Sequence, residues 1–159
     1  MTESAARLHR RLAVPIRLYL GGVFLWASWH KILDPHGFAL DIATYDILPL
    51  GLVNLQALLL PWIELVAAGA LIAGLWSRAA AVLTCGMMLM FTVALGIALH
   101  RGLDTSCGCF ASTLEATDPI SGWTIARDLL WLGLALYVAA FDRRPWGLEA
   151  LLFRRKAIS

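Results

Sequence analysis

From 79 to 99 the chain runs without one charged residue, so a helix built from this stretch has no polar face to turn toward water. Helices of soluble bundles carry such a face, and this one does not. Three neighbouring stretches have nearly the same character, giving expected helices at about 12–33, 52–76, 78–100 and 121–141. Each is long enough for the roughly 20 residues that cross a hydrocarbon core of about 30 Å. The bulk numbers agree: the 159 residues are 60% hydrophobic and only 15% charged, with a mean hydropathy of +0.73. Soluble domains carry about 25% charged residues. The fold class expected is therefore an all-α membrane protein: one four-helix transmembrane domain over 1–159, with the lipid bilayer as its solvent.

Arg7, Arg10 and Arg11 precede the first apolar run, as they would in a secretory leader. That run exceeds the usual apolar region of about 7–15 residues, and no small-x-small cleavage site follows it, so it is expected to remain as a helix. Trp29-His30-Lys31 at its end reads as a membrane-interface anchor.

Basic residues set the expected orientation. Arg7, Arg10, Arg11, Arg78, Arg143, Arg144, Arg154, Arg155 and Lys156 fall on one side. Lys31 and Arg101 fall on the other, among Asp34, Asp41, Asp46, Asp104, Glu115 and Asp118. The positive-inside rule then puts both termini in the cytoplasm and the loops 34–51 and 101–120 on the periplasmic or exterior side. The net charge of +2 needs no nucleic-acid partner; topology accounts for the basic ends. The first loop, half apolar, reads as an interfacial helix or a lid over the bundle mouth. Residues 145–159 read as a basic amphipathic tail. Gly21, Gly22, Ala27, Ala67, Ala68, Gly69, Ala73 and Gly74 mark expected helix contact faces, because close packing drives association in lipid.

The second loop carries Cys107-Gly108-Cys109. Two thiols one residue apart can close a small, strained disulfide, with Gly108 letting the backbone bend. Strain makes such a bond more readily exchanged, and it would staple nothing distant. Redox exchange is the favoured reading. Two idle thiols and a soft-metal pair are the alternatives, the metal set being Cys107 and Cys109 with His100, or with His30 and His36. His100 and Arg101 would modulate the pair, since a nearby cation raises the thiolate fraction. Cys85, the third cysteine, is separated from His100 by about 22 Å of helix at 1.5 Å per residue. It reads as an inert small hydrophobe. With one thiol pair only, a dithiol relay across the membrane is disfavoured. The pair must exchange with an outside protein or a lipid-soluble oxidant.

Charges inside the expected helices form a second constellation. Glu64, in Pro61-Trp62-Ile63-Glu64-Leu65, and Arg127-Asp128 each cost roughly 2.5–3.5 kcal/mol at the bilayer centre, so they should face the bundle interior. Glu64 and Arg127 are expected to neutralise each other, with Asp128 accepting from Trp62 or a hydroxyl. They either fix helix register or, with Trp62 and Trp123, line a cavity for a quinone or for proton handling. Pro61 frees a backbone carbonyl there, which suits a cavity.

The residues Trp29-His30-Lys31-Ile32-Leu33-Asp34-Pro35, Phe38, Tyr45 and Leu48-Pro49 carry a resemblance. So do Pro61-Trp62-Ile63-Glu64-Leu65 with Gly69, and Arg101-Gly102 ahead of Cys107-Gly108-Cys109-Phe110. Together they resemble the methylamine-utilisation MauE family within the wider DoxX-like group, with Ala111 where that pattern often has glycine. The resemblance implies a four-helix membrane protein that works with a thioredoxin-like partner on the disulfides of periplasmic proteins. The expected function is thus a membrane-embedded thiol-disulfide redox protein. A quinone as oxidant is an analogy with other four-helix thiol oxidases. The rival is a non-enzymatic soft-metal carrier or membrane assembly factor.

Overall fold

A computed structural model describes residues 3–103 and 122–142, the side chains of 3, 5, 6 and 10 excepted. The chain is all-helical over those residues: α1 (Glu3–Leu33), α2 (Pro35–Thr44), α3 (Leu50–Ala73), α4 (Ser77–His100) and α5 (Gly122–Phe141). Four of these, all but α2, are long and apolar enough to cross a membrane. Their outward faces carry Leu58, Val66, Val82, Leu89 and Leu130, all exposed. In lipid that is the stable arrangement, because the surrounding medium is as apolar as the side chains. The Cys107-Gly108-Cys109 stretch and the tail 145–159 lie outside the described residues.

Helix boundaries follow local chemistry. The first helix begins well before 12, carrying the arginine-bearing segment as added turns. The second expected helix stops at Ala73 rather than 76, because Gly74 takes a left-handed conformation (φ 67°) and its N–H returns to the Ala70 carbonyl. Glycine meets no Cβ penalty there. Trp76 is also left-handed (φ 45°), and α4 starts directly after it.

The half-apolar stretch between α1 and α3 is indeed mostly helix. Asp34 caps α2 by accepting from the Gly37 N–H at 2.9 Å, and Pro35 occupies the first turn, where no N–H is needed. A Cβ at Gly37 would collide with the Asp34 carboxylate, so a larger residue there would have to displace the cap. Phe38 and Ile42 turn inward from α2 into the main core, which also takes Leu20, Phe24, Leu60, Met88, Phe91 and Trp131.

α1 and α3 run antiparallel in close contact. A Cβ on Gly21 would stand 2.6 Å from Ile72 and 3.1 Å from the Ala68 carbonyl, so the missing side chain sets the approach. Ala27, Ala67 and Ala68 are buried as expected, whereas Gly22 and Gly69 face no neighbour within 4 Å. α4 packs mainly on α5, and Arg78 Nε donates to the Ala139 carbonyl at 3.0 Å. The pairs α1–α3 and α4–α5 thus form two close couples. Between α3 and α4, despite their tight turn, a groove of about 490 Å³ remains.

Candidate functional site

Lys31 lies in the last turn of α1, where an interface anchor was expected, yet it is 5% exposed. Its Nζ donates to both oxygens of Glu64, at 2.8 and 2.9 Å. The Phe38 and Phe91 rings lie 4.9 and 5.0 Å from the same nitrogen. Glu64 therefore pairs with Lys31, not with Arg127. The reason is register: α1 and α3 touch along their length, and a lysine side chain reaches back toward the N-terminus of its helix. Its ammonium consequently lies well inside the bundle.

Asp128 of α5 is fully buried and pairs with its sequence neighbour, Arg127 Nε to Asp128 Oδ1 at 3.5 Å. That is an ion pair rather than a well-formed hydrogen bond; neither carboxylate oxygen accepts one from a described residue. The Arg127 guanidinium lies over Trp131, 4.9 Å from the ring centre. Lys31, Glu64 and Asp128 border a common cavity with Phe24, Met88, Phe91 and Trp131. Its volume is about 20 Å³, room for one water molecule. The four charges thus sum to zero in a largely dry interior, which is how such groups are tolerated in lipid.

The structure does not bring the four expected quinone residues together. Glu64 is buried, but Trp62 and Trp123 are 54% and 78% exposed on the outer surface, and the interior space near Glu64 is too small for a ring. Trp62 sits two positions from Glu64 on the helix and so points elsewhere. His100 is exposed at the end of α4. Arg101, next to it, donates from Nη1 to the Asp46 carbonyl at 3.2 Å. That bond ties the chain leading toward Cys107 to the connection between α2 and α3. Tyr45, in the same connection, is buried against Leu95 and Ala98, with Leu103 packed beside them. Burial first, then the carboxylates of Asp41 and Asp128, push its phenol pKa upward. Cys85 is half-buried against the main core, a placement that suits a packing role. Among the described residues no three His, Cys, Asp or Glu side chains converge as a metal set.

At the opposite end, Arg17 of α1 meets Asp142, just past α5, at 3.4 Å with both side chains 2% exposed. His9 Nδ1 and the Tyr137 hydroxyl are 2.8 Å apart, and the His9 ring stacks on Phe141. Sequence reasoning missed both joins, as it missed Lys31.

Residues 9–141, from α1 to the end of α5, match the family described as methylamine utilisation protein MauE. The chain belongs to the MauE family. It is similar to the methylamine utilization protein MauE of Paracoccus denitrificans, 30% identical over 125 residues that cover 78% of this chain and 66% of that protein. Against the methylamine utilization protein MauE of Methylophilus methylotrophus it is 32% identical over 124 residues, 77% of this chain and 65% of that protein. The chain thus spans just under two thirds of the length of these curated relatives. No solved structure matches it. Membership of the MauE family agrees with the resemblance carried by Trp29–Pro35, Pro61–Leu65 and the Cys-Gly-Cys stretch.

Proposed function

We propose that this MauE-family chain is a membrane-embedded thiol-disulfide redox protein whose Cys107 and Cys109 exchange disulfides with a soluble thioredoxin-like partner. The exchange serves the maturation of periplasmic proteins of the methylamine-utilisation type. One sulfur forms a mixed disulfide with the partner and the other resolves it, so two thiols are oxidised as one disulfide is reduced, or the reverse. In this reading the chain is one four-helix domain of the DoxX-like kind in the bacterial inner membrane, with both termini cytoplasmic.

The observation that carries the reading is the position of the Cys-Gly-Cys stretch. In sequence it lies between α4 and α5, and α4 ends with Arg101 bonded to the Asp46 carbonyl, at the end of the bundle where α1, α2 and α3 connect and away from Arg78. Positive residues stay cytoplasmic, which supports an exterior thiol pair in a compartment where disulfides persist. Arg101 supplies positive charge ahead of the pair, with His100 beside it, favouring thiolate.

The test is capture in cells. The Cys109→Ser variant should accumulate a mixed disulfide through Cys107, and mass spectrometry of that adduct should identify a thioredoxin-like protein. If Cys107→Ser/Cys109→Ser cells form periplasmic disulfides, including those of methylamine-utilisation proteins, as well as wild type does, the reading fails.

A further inference from the structure

A groove of about 490 Å³ opens between α3 and α4 on the lipid-facing surface. It is lined by Tyr45 and Leu48 at one end, Gln56 on one wall, and Gly86, Met90 and Ile97 along the other. Residues 86 to 97 extend over about 16 Å of helix. Leu89, Met90 and Val93 on its rim are exposed, so the entrance faces the hydrocarbon and the occupant must arrive from the bilayer.

One feature separates this groove from ordinary lipid contact. Gln56 is a carboxamide within a membrane span, and its nitrogen donates only to the thioether of Met90, at 3.8 Å. Its oxygen accepts no hydrogen bond from a described residue. Amides in lipid ordinarily find a strong partner. A thioether is a weak acceptor, so Gln56 retains one donor and one acceptor of near-full strength. The other surface groove, between α1 and α5, differs: its hydroxyl, Tyr19, already accepts from Trp131 Nε1 at 3.3 Å.

The chemistry on the thiol side narrows the occupant. The chain has three cysteines, and Cys85 alone cannot relay two electrons from the Cys107–Cys109 pair. In the direction in which the pair oxidises its partner, the two electrons it gains must leave on a separate two-electron acceptor. Arg101, six positions before Cys107 in sequence, is bonded to the Asp46 carbonyl beside Tyr45, which lines one end of the groove. Six residues span up to about 20 Å when extended.

We infer that the α3–α4 groove binds an isoprenoid quinone, with Gln56 hydrogen-bonding its ring. The inference rests on the redox reading above. An amide suits both states of the ring: its N–H donates to a quinone carbonyl, and its carbonyl accepts from a quinol hydroxyl. The acyl chain of a phospholipid offers neither. In the coupled step Cys107 and Cys109 lose two S–H bonds and form one S–S bond. Both electrons and both protons pass to the quinone oxygens, giving the quinol.

The test uses the full-length protein in nanodiscs with decylubiquinone as the probe. Wild type should bind it saturably, and a photoreactive azidoquinone should label peptides from the 42–48 and 86–97 segments. A Cβ at Gly86 meets nothing within 4 Å, so Gly86→Phe starts from open space and carries its ring into the groove. It should weaken binding at least about tenfold, about 1.4 kcal/mol by the usual conversion. Gln56→Leu should weaken it by about two- to tenfold, the range of one neutral hydrogen bond. Thermal melting of both variants controls for folding. Absent saturable binding, labelling confined to the α1–α5 face, or Gly86→Phe and Gln56→Leu both binding like wild type would overturn the inference. So would tightly held phospholipid that decylubiquinone cannot displace. Alkylation trapping of Cys107 and Cys109 in cells separates the two readings. If the pair cycles and no quinone binds, the groove assignment alone falls. If quinone binds and the pair never changes state, the redox reading falls.

Discussion

Lys31 and Glu64 form a two-pronged ion pair, 2.8 and 2.9 Å, joining the last turn of α1 to the middle of α3 inside the bundle. Removing one partner strands the other charge in a dry site, which typically costs about 3–5 kcal/mol, a large share of the roughly 5–15 kcal/mol a domain has in total. Lys31→Met and Glu64→Leu should each lower the unfolding free energy, measured in mixed micelles, by about 3–5 kcal/mol. The double variant should recover most of the loss, because two apolar side chains of similar volume need no partner. A double variant as unstable as the sum of the singles would mean that the pair is not the unit described.

Arg17 and Asp142 close the other end, both nearly fully buried. Asp142→Asn keeps the shape and removes the charge, leaving Arg17 to its remaining contacts. Stability should fall by about 1–3 kcal/mol, the usual cost of an under-satisfied buried polar group. Hydrogen exchange should show the excess opening at the start of α1 and the end of α5. Exchange increased only near Lys31 would count against this assignment.

The spans were legible from hydropathy alone, since a charge-free stretch such as 79–99 has one stable solvent. A helix at α2 was legible from the half-apolar character of its stretch, whereas the Asp34 cap and the Pro35 first turn that fix its start emerged only with the structure. Charge pairing was not. Lys31 sits at a helix end, where lysines ordinarily reach for the headgroups, and only the α1–α3 register sends it inward to Glu64. A depth comparison of every intramembrane cation with every acid could have flagged it. Arg127 was expected across the bundle and lies instead on Trp131 beside Asp128. Local contact with its own helix won over a longer reach. Of the small residues, Gly21 marks a true close approach and Gly69 does not, because composition names candidates but only packing angle selects among them.

The proposed topology has a direct readout. With Cys85 half-buried in the span of α4, a membrane-impermeant maleimide applied to intact spheroplasts after reduction should label Cys107 and Cys109 and spare Cys85. Trp76→Cys, at the exposed turn between α3 and α4, in a variant lacking the other three cysteines should stay unlabelled until the membrane is opened. Labelling of the Trp76→Cys variant in sealed spheroplasts would invert the orientation.

Tyr45 gives a pH signature. Its phenol pKa is raised above the ordinary 10, first by burial and then by the Asp41 and Asp128 carboxylates. The folded state therefore holds the proton more tightly than the unfolded chain does. By linkage, the stability this contributes is complete below about pH 10 and declines as pH climbs above it. The tyrosinate absorbance lost in Tyr45→Phe should be the component that emerges only in strongly alkaline solution, together with unfolding. The variant should also lose less stability than wild type as pH rises above 10. A Tyr45 signal that titrates near 10 in the folded protein would contradict the burial.

Gly21 offers the cleanest test of the α1–α3 contact, which also sets the depth at which Lys31 meets Glu64. A Cβ there would fall 2.6 Å from a flexible Ile72 side chain and 3.1 Å from the fixed Ala68 carbonyl. Ile72 can swing away, but the carbonyl belongs to helix backbone and cannot. Gly21→Ala should therefore push the helices apart slightly, costing about 1–3 kcal/mol by overpacking despite alanine's better helix propensity. Gly22→Ala, one position on with open space around it, should be neutral or mildly stabilising. Because the register carries the ion pair, Gly21→Ala should also reduce the penalty of Lys31→Met in a double-mutant cycle. Equal effects of alanine at 21 and 22, measured as unfolding midpoints under the same conditions, would show that the two helices do not meet at Gly21.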